Sequence, residues 1–478
     1  MVNVLRLALI TLIILVALAT AGHALLYKRD PRAALSWIAV CLLYPLLGPV
    51  LYYLLGVNRV RTRAKKLGQR WQLLIYIGYE RREDEDAEVL SSLDLPEEVK
   101  AIARISDAVT RRPLVGGNRI ELLHNGEQVY PAMLETIERA KQSLFLSTYI
   151  FETNDTGLRF INALACAAKR GVDARVIIDG VGELYSIPRA GTMLERRGVH
   201  TARFLPPKLL PPTLHINLRN HRKILVADGL VGFMGGMNIG DRHLAESVEN
   251  PSRVVDAHFR LAGPVVTQIE HVFLEDWGFS TGEQVTPTQA SARENGSMIC
   301  RTIVDGPNED LDRLSMILVG AVSAARRRIS IMTPYFLPSR ELIAALQTAA
   351  LRGVEVTIIL PSKNNLPFVH WATRNMLWEL LEWGIRLYYQ PPPFVHTKLF
   401  VVDDQYAQIG SANIDPRSLR LNFELAVEVF DKQFVKILTE HIQKSQDQSL
   451  EVSLKDLDSR RLPVRIRDAL AWLFSPYL

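Results

Sequence analysis

The 478-residue sequence has few of the features that mark disulfide-bonded, metal-binding or nucleotide-binding proteins. Its three cysteines, Cys41, Cys166 and Cys300, form no C-x-x-C pair, so neither a disulfide framework nor a zinc site is indicated. It contains no P-loop, dinucleotide-binding fingerprint or cluster of metal ligands. Basic stretches interleaved with aromatic residues, which would stack the bases of a single strand, are also absent. We therefore expect no cofactor, no metal and no nucleic-acid partner.

Two stretches of the sequence carry the same polar residues at the same spacing. HRKILVADGLVGFMGGMNI begins at His221, and HTKLFVVDDQYAQIGSANI begins at His396. Each reads H-x-K-x-x-x-x-D, with Gly at offset 14 and Asn at offset 17 from the His. Because charged residue types are individually infrequent, matched spacing of this kind is not a coincidence. The repeat indicates that both stretches serve one function.

Each of the two motifs is predicted to form a β-hairpin. An aliphatic run, ILVA or LFVV, follows the Lys, ends at an Asp-Gly or Asp-Asp turn and precedes a second apolar run. Side chains two residues apart share a face of a strand, so His221 projects with Lys223 and His396 projects with Lys398. A single His is usually a structural residue. The repeated pair instead predicts a functional site.

The duplication extends beyond the motifs to whole structural units. SLFLSTYIF followed by LRFINALACAAKRGVDARVIID is matched later by RISIMTPYF followed by SRELIAALQTAALRGVEVTIILP. Alternating strand and helix patterns of this kind predict an α/β fold. Since each half carries half of the polar residues, we predict two halves packed face to face, with one active site at a pseudo-twofold interface.

The N-terminal residues are predicted to anchor the chain in a membrane. Residues 4–27 carry only Arg6 and His23 as charged or imidazole side chains, and at about 1.5 Å per residue they can cross a bilayer. A cleaved signal peptide is the alternative. Residues 35–56 form a second apolar segment that is interrupted by Pro and Gly, which predicts either a kinked span or a re-entrant hairpin.

A basic stretch follows the second apolar segment and predicts that the bulk of the protein faces the cytoplasm. Its basic residues are Arg59, Arg61, Arg63, Lys65, Lys66 and Arg70. The net charge of +5 and the pI near 9.0 fit a surface that meets anionic lipid, although they fit nucleic acid equally well.

These motifs resemble those of the phospholipase D superfamily, whose signature is a duplicated H-x-K-x-x-x-x-D followed by G-[SG]-x-N. The stretches NLRNHRKILVADG, MGGMNIGDR, VVDAHFRLAGPVV and GSANIDPRS are closer to its bacterial cardiolipin synthase branch, as is the membrane anchor. The resemblance implies an α/β fold of two pseudo-twofold-related phospholipase D-like domains, each a mixed β-sheet flanked by helices. We predict a membrane anchor in residues 1–70, a linker in 71–111, the first domain in 112–279, a linker in 280–297 and the second domain in 298–478.

The resemblance also implies the roles of the two His and Lys pairs. By this resemblance we assign His221 as the nucleophile that attacks phosphorus and forms a phosphohistidine, and His396 as the acid that protonates the leaving alcohol. The reverse assignment is the alternative. Lys223 and Lys398 would hold the phosphate oxygens by their charges. The two imidazoles must then start the reaction in different protonation states.

Two further pairs of residues complete the predicted site. Asn238 and Asn413 would donate hydrogen bonds to the phosphate oxygens. The superfamily places a carboxylate some thirty residues past each His to orient the imidazole, and Asp256 and Glu424 occupy those positions.

The motif aspartates Asp228 and Asp403 are counted with the candidate catalytic residues. Their position at the hairpin turns nevertheless favours a role in holding the hairpin and the Lys rather than the substrate. Ser411 has only Gly236 as its counterpart, so we do not expect a hydroxyl to be needed in both halves.

By this resemblance the protein is predicted to be a phosphatidyltransferase of the bacterial inner membrane that converts two phosphatidylglycerol molecules into cardiolipin and glycerol. A phospholipase D, in which water resolves the intermediate, is an alternative, as is transfer to another alcohol. A nuclease and an inactive scaffold are disfavoured. Anionic phospholipid is the expected partner, and the sequence does not indicate an oligomeric state.

Two apolar segments have two interpretations each. FLPPKLLPPTL, before the first motif, is either a loop beside the site or a packed loop. The C-terminal RRLPVRIRDALAWLFSPYL predicts a short amphipathic helix that either lies on anionic lipid or docks on the catalytic domains.

Overall fold

The predicted α/β architecture is present in the protein. The structure is a computed structural model that describes residues 2–28, 31–57, 95–110, 112–207, 218–288, 294–306 and 312–475. These residues form two units, an N-terminal one up to residue 57 and a larger one that contains most of the described residues from 95 onward. The basic stretch at 59–70 and most of the loop FLPPKLLPPTL lie outside the described residues.

The N-terminal unit is a pair of apolar helical segments. Within the helix Val2–Tyr27, residues Val4–Tyr27 are long and apolar enough to cross a bilayer, and most of their side chains are exposed. The second apolar segment is broken into the helices Pro31–Leu43 and Leu47–Leu51 and the π-helical turn Tyr52–Gly56. Neither of these two helices has the length of a span, and whether the segment spans the membrane or re-enters it stays a prediction.

The larger unit is built around one long β-sheet. Its strands, and a separate pair formed by β7 and β13, are β1 (Val115–His124), β2 (Ser143–Thr148), β3 (Asp173–Asp179), β4 (His200–Phe204), β5 (Ile224–Ala227), β6 (Val231–Gly235), β7 (Val254–Val255), β8 (Ala257–Ala262), β9 (Met298–Asp305), β10 (Arg328–Met332), β11 (Glu355–Pro361), β12 (Arg386–Gln390), β13 (Phe394–Val395), β14 (Leu399–Val402), β15 (Tyr406–Gly410), β16 (Glu424–Phe430) and β17 (Leu450–Val452).

The order of the strands shows the duplication directly. Among the described residues, 15 strands form the sheet in the order β17-β12-β11-β10-β14-β15-β16-β9-β1-β8-β6-β5-β2-β3-β4. Read outward from the central antiparallel pair β1 and β9, the two halves have the same sequence of strands, apart from the additional β17. In both halves the motif strands β5 and β14 lie between their hairpin partner and the first parallel strand. The expected mixed sheet and pseudo-twofold arrangement are therefore confirmed.

Helices cover both faces of the sheet because the strands are apolar on both sides. In β2, Leu144 and Leu146 belong to the core of the first half, whereas Phe145 stacks on Phe273 from the opposite face, with ring centroids 5.0 Å apart. The helices of this unit are Glu97–Thr110, Asn125–Arg139, Asp155–Lys169, Ala190–Glu195, Val265–Thr281, Arg313–Ala324, Arg340–Leu351, Pro367–Met376, Trp378–Leu381, Pro416–Arg420, Lys432–Asp447, Leu454–Asp458 and Leu462–Leu473, with short 3-10 turns at Gly182–Tyr185 and Asp241–His243.

Part of the expected linker at 71–111 is instead a helix, Glu97–Thr110. This helix packs its apolar side into the core of the second half, although it precedes the first half in sequence. Its Ser106 hydroxyl donates to Glu428 Oε2 over 2.6 Å. The buried Arg301 pairs with both Glu428 and Asp107, at 2.6 and 2.8 Å. A buried cation held by two carboxylates fixes the helix in place, because removing any partner would leave a buried charge unpaired.

The expected linker at 280–297 begins in the last turn of the helix Val265–Thr281. Gly282 terminates this helix in the left-handed conformation, with φ of 81°, and the described residues that follow it up to 288 form neither helix nor strand. We propose this segment as the boundary between the two phospholipase D-like domains.

Candidate active site

The two motif histidines are held at the interface by the backbone of the opposite half. The His221 N–H donates to the carbonyl of Phe423 over 2.9 Å, and the His396 N–H donates to the carbonyl of Val255 over 2.7 Å. The second contact continues the parallel pairing of β7 with β13. Each His is therefore placed by a strand-like contact that only the other half can supply.

A carboxylate follows each of these carbonyl groups in the sequence and pairs with the imidazole. His221 Nδ1 lies 3.2 Å from Glu424 Oε2, and His396 Nδ1 lies 2.8 Å from Asp256 Oδ2. The predicted orienting carboxylates thus meet the histidines crosswise, each from the opposite half. When the carboxylate is ionised, Nδ1 carries the proton and donates a hydrogen bond to it. The lone pair of Nε2 is then available for the reaction.

The two carboxylates are supported differently. Glu424 Oε2 accepts a hydrogen bond from the Ser411 hydroxyl over 2.5 Å. The counterpart of Ser411 is Gly236, where a Cβ would come within 2.6 Å of both Asp256 carboxylate oxygens. The hydroxyl is therefore present only beside Glu424, and the absence of a side chain at 236 makes room for Asp256.

The electrostatic environment of the two pairs also differs. The pKa of Glu424 is lowered despite its burial, because His221, Lys223 and Ser411 stabilise the carboxylate. Burial raises the pKa of Asp256, with Lys398 opposing the shift. Burial lowers the pKa of His221, and Glu424 opposes that shift. A neutral His221 beside an ionised Glu424 is the state that a nucleophilic imidazole requires.

The state of His396 departs from the one expected for an acid. Burial, followed by the charges of Lys398 and His221, lowers the pKa of His396 well below its ordinary value. This favours a neutral imidazole. A bound phosphodiester carries a negative charge, which stabilises imidazolium and opposes that shift. His396 therefore acts as an acid only if the substrate anion restores its proton.

The two motif lysines are buried beside their histidines. Lys223 Nζ donates to the His221 carbonyl over 2.6 Å, and Lys398 Nζ donates to the His396 carbonyl over 2.5 Å. Burial lowers the pKa of Lys223 to about 7 and that of Lys398 to about 8. A bound phosphate anion would add to the negative charge of the nearby carboxylates and would keep both ammonium groups charged.

The predicted phosphate-binding asparagines lie buried in the same region. The Asn238 side-chain oxygen accepts from the Ile150 N–H over 3.1 Å, so its amide nitrogen is oriented as a donor. The Asn413 nitrogen is 3.1 Å from the Ser418 hydroxyl, and its buried oxygen has no partner among the described residues. Reversing this amide would let Ser418 donate to the oxygen and would present the nitrogen as in Asn238.

The motif aspartates lie at the far end of their strands from the lysines. Asp228, with φ of 53°, accepts hydrogen bonds from the N–H groups of residues 141, 142 and 143 at the start of β2. Asp403, with φ of 52°, accepts from those of residues 326, 327 and 328 at the start of β10. We therefore propose that both fix the motif hairpins to the neighbouring strand and are not catalytic groups.

The structure contains a buried ion pair, Arg222 with Asp276, that the sequence did not predict. Arg222 is fully buried between the two halves, where it pairs with Asp276 at 2.6 Å and donates to the Glu424 carbonyl over 3.1 Å. Asn220 donates to the other Asp276 oxygen over 2.9 Å. Arg222 stands between His221 and Lys223, just before β5. No spacing in the sequence identified Asp276 as its partner.

Two histidines, two lysines and two crossed carboxylates on a duplicated α/β sheet define a phospholipase D-like enzyme. The family model "Cardiolipin synthase, PLD-like domain" matches residues 133–277 and 318–445. The model "Phospholipase_D-nuclease N-terminal" matches residues 7–56. The chain belongs to the cardiolipin synthase family of phospholipase D-like proteins.

Curated relatives cover nearly the whole chain. It is 32% identical to "Major cardiolipin synthase ClsA" of Bacillus subtilis over 463 residues, which is 94% of this chain and 95% of that protein. It is 30% identical to "Cardiolipin synthase A" of Pseudomonas putida over 484 residues, 98% of this chain and 97% of that protein. The crystal structure of phosphatidylserine synthase from Haemophilus influenzae matches the fold with a TM-score of 0.62 and 17% identity, covering 79% of this chain and 100% of that one.

We predict that Gly236→Ala lowers turnover by about tenfold or more, because the methyl group displaces Asp256 from His396. Gly232→Ala is the matched control, since a Cβ at 232 meets only ordinary contacts at 3.6 Å or beyond. Steady-state kinetics of the two purified variants check this. Equal activities would mean that the space at 236 does not matter to the site.

We also predict that kcat/KM falls as the pH rises from about 7 to about 9, where an ordinary Lys would remain charged. The lowered pKa values of Lys223 and Lys398 place the loss of their charges in this range. In Lys223→Arg the guanidinium stays charged, so the decline should move to higher pH even if activity is lower. A wild-type profile that is flat to pH 9 would contradict the buried-lysine interpretation.

Proposed function

We propose that this protein is a cardiolipin synthase, which transfers the phosphatidyl group of one phosphatidylglycerol to the hydroxyl of another. The crossed His–carboxylate pairs carry this proposal, since they supply an attacking imidazole and a proton donor at one interface. The names of relatives that match over almost the full length support the choice of lipid substrates. A helix able to cross a bilayer supports a membrane location.

In the first step, His221 Nε2 attacks phosphorus, and the bond between phosphorus and the glycerol oxygen breaks. His396 gives its proton to the departing oxygen, so free glycerol leaves. Glu424 stabilises the positive charge that His221 acquires. The lysines and asparagines neutralise the phosphate oxygens throughout.

In the second step, the terminal hydroxyl of a second phosphatidylglycerol gives its proton to the now neutral His396 and attacks phosphorus. The phosphorus–nitrogen bond breaks, His221 is restored and cardiolipin is released. Water in place of that hydroxyl would yield phosphatidic acid, which is the phospholipase D alternative.

The acceptor lipid carries a phosphate of its own, and we propose Arg417 as its binding group. The counterpart of Arg417 in the first half is Arg242, which forms an ion pair with Glu152. The counterpart of Glu152 is the apolar Leu337. In the described part of the chain, Arg417 forms no ion pair and its buried Nε has no hydrogen-bond partner.

Arg417 acts electrostatically on the two tyrosines that flank the histidines. These are Tyr149 and Tyr335, whose rings lie 5.4 Å from the His221 ring and 6.2 Å from the His396 ring. Asp415 also feels the charge of Arg417, but it forms no ion pair with it. A guanidinium that no carboxylate holds by hydrogen bonds suits a second anion beside the reacting phosphate.

The cytoplasmic orientation of the catalytic unit is a proposal from the sequence alone. It rests on the basic stretch after the second apolar segment.

The reaction is tested with the full-length protein in phosphatidylglycerol vesicles, with products resolved by mass. We expect cardiolipin and glycerol from the wild type, and loss of both from His221→Asn and from His396→Asn. His200→Asn, at an exposed His outside the site, is the control. Phosphatidic acid as the main product would instead assign a phospholipase.

The order of the two histidines is tested with a phosphatidyl ester of a good leaving group, which needs little acid assistance. His396→Asn should then accumulate an acid-labile, base-stable phosphatidyl adduct on His221, and His221→Asn should carry none. An adduct on His396 would reverse the assignment.

The Arg417 proposal predicts a change in substrate affinity more than in chemistry. Arg417→Gln should raise KM for phosphatidylglycerol about tenfold or more, as expected for loss of a charge-assisted contact, and Arg417→Lys should recover part of it. Arg242→Gln, which removes an arginine already paired, should leave KM within about twofold. Equal effects at the two arginines would exclude a specific role for Arg417.

A further inference from the structure

The C-terminal helix Leu462–Leu473 has two different faces. One face docks on the body through the fully buried Asp468, which pairs with Arg374 and Arg460, each at 2.7 Å. The stacking of Arg467 on Trp371, 4.4 Å from the ring centroid, secures the same side. The helix is therefore held firmly against the helix Pro367–Met376, and its opposite side has a fixed direction.

The opposite face of this helix is an exposed apolar stripe. Leu462, Ile466, Leu470 and Leu473 follow one another at helical spacing, and each side chain is at least half exposed. Arg461 and Arg465 flank the stripe, are exposed, and form no ion pair with any described residue. A stripe of large aliphatic side chains edged by uncompensated positive charge is the pattern of a helix that lies in an anionic lipid interface.

The stripe continues from the helix to the active site. Phe474 contacts Phe368, with ring centroids 6.2 Å apart, and both are about half exposed. Leu366, directly before the helix Pro367–Met376, is also exposed. The residue before it, Asn365, accepts a hydrogen bond from the Tyr335 hydroxyl over 2.6 Å. Tyr335 is the ring beside His396.

A matching set of exposed apolar residues approaches from the first half. Tyr149, the ring beside His221, contacts Tyr185 with ring centroids 6.4 Å apart. Tyr185 is exposed, as are Leu184 and Ile187, the latter almost completely, at 92%. Tyr185 of the first half also acts electrostatically on Tyr335 of the second half.

We propose that these residues form one surface, the apolar mouth surface, that rests on an anionic bilayer and opens the active site toward the lipid headgroups. It comprises Leu184, Tyr185, Ile187, Leu366, Phe368 and the stripe of the C-terminal helix. The chain also carries a helix able to cross a bilayer, which favours a lipid bilayer over a second protein as the partner of this surface. One face of the C-terminal helix then docks on the catalytic domains, and the opposite face lies on anionic lipid.

Lipid contact is tested with a fluorophore on a single introduced cysteine in the full-length protein. Cys166 is exposed and is replaced by Ser, while Cys41 and Cys300 are buried. In vesicles that contain phosphatidylglycerol, a spin label on the acyl chains should quench a bimane at Leu470→Cys at least about twofold more than one at Leu351→Cys. Leu351 is a helix residue outside the apolar mouth surface and is somewhat more exposed than Leu470, at 67% against 54%.

Because Arg461 and Arg465 flank the stripe, we predict that quenching at position 470 weakens in vesicles without anionic lipid and in high salt. Equal quenching at 470 and 351 would overturn the proposal. Burial of the label at 470 by another copy of the chain, seen as cross-linking between copies with no quenching by lipid, would overturn it as well.

The consequence for turnover rests on the proposed function and is measured separately. Ile466→Asp/Leu470→Asp should lower cardiolipin formation in vesicles by roughly tenfold, because two apolar contacts with lipid are lost. It should change turnover of a soluble, short-chain phosphatidyl substrate less than about twofold. Met316→Asp/Leu351→Asp, at exposed helix positions elsewhere, is the control.

An equal loss on both substrates would show that the helix acts only on the fold and would reject its role at the bilayer. If the wild type forms no cardiolipin while the label at 470 is still quenched by lipid, the proposed function fails and the apolar mouth surface stands.

Discussion

The geometry of the site depends on one constraint, which is that each imidazole is oriented by a carboxylate of the opposite half. A buried His–carboxylate pair is useful only when its distance and direction are fixed closely. The central β1–β9 pairing, the parallel β7–β13 pair and the buried Arg222 all hold the two halves in that register. The continuous sheet is best understood as the support for these two crossed hydrogen bonds, because they are what a relative shift of the halves would break first.

Within this symmetric frame the two sides of the site have diverged. Glu424 with Ser411 stabilises an ionised carboxylate, whereas Asp256 with Gly236 leaves a buried carboxylate without that hydroxyl. A transfer reaction needs one imidazole to begin neutral and the other to begin protonated. Identical halves would give both imidazoles the same affinity for protons, and the unequal surroundings of the two carboxylates make these affinities differ.

Much of the fold and site was predictable because repetition is visible in a single sequence. The motif pairs from His221 to Asn413 follow from matched spacing, and two α/β halves follow from the repeated strand and helix patterns. The crossed pairing was not predictable, since spacing along the chain places Asp256 after His221 and says nothing of which imidazole it meets. The helix Glu97–Thr110 was missed because the acidic run before it, ERREDEDAEVL at 80–90, resembles a solvated linker, although the buried residues Val99, Ile102, Ala103 and Ser106 recur at helical spacing.

The crossed pairing also determines when the protein becomes active during its own synthesis. His221 and its carboxylate are 203 residues apart, so at roughly 5–20 residues per second the first motif waits about 10–40 s for its partner to leave the ribosome. The helix Glu97–Thr110, made before both motifs, likewise waits for the second half on which it packs. The N-terminal helix, by contrast, is complete at the outset. The nascent chain is thus tethered to lipid long before it can act on it, and a product that terminates before Glu424 has no working imidazole pair.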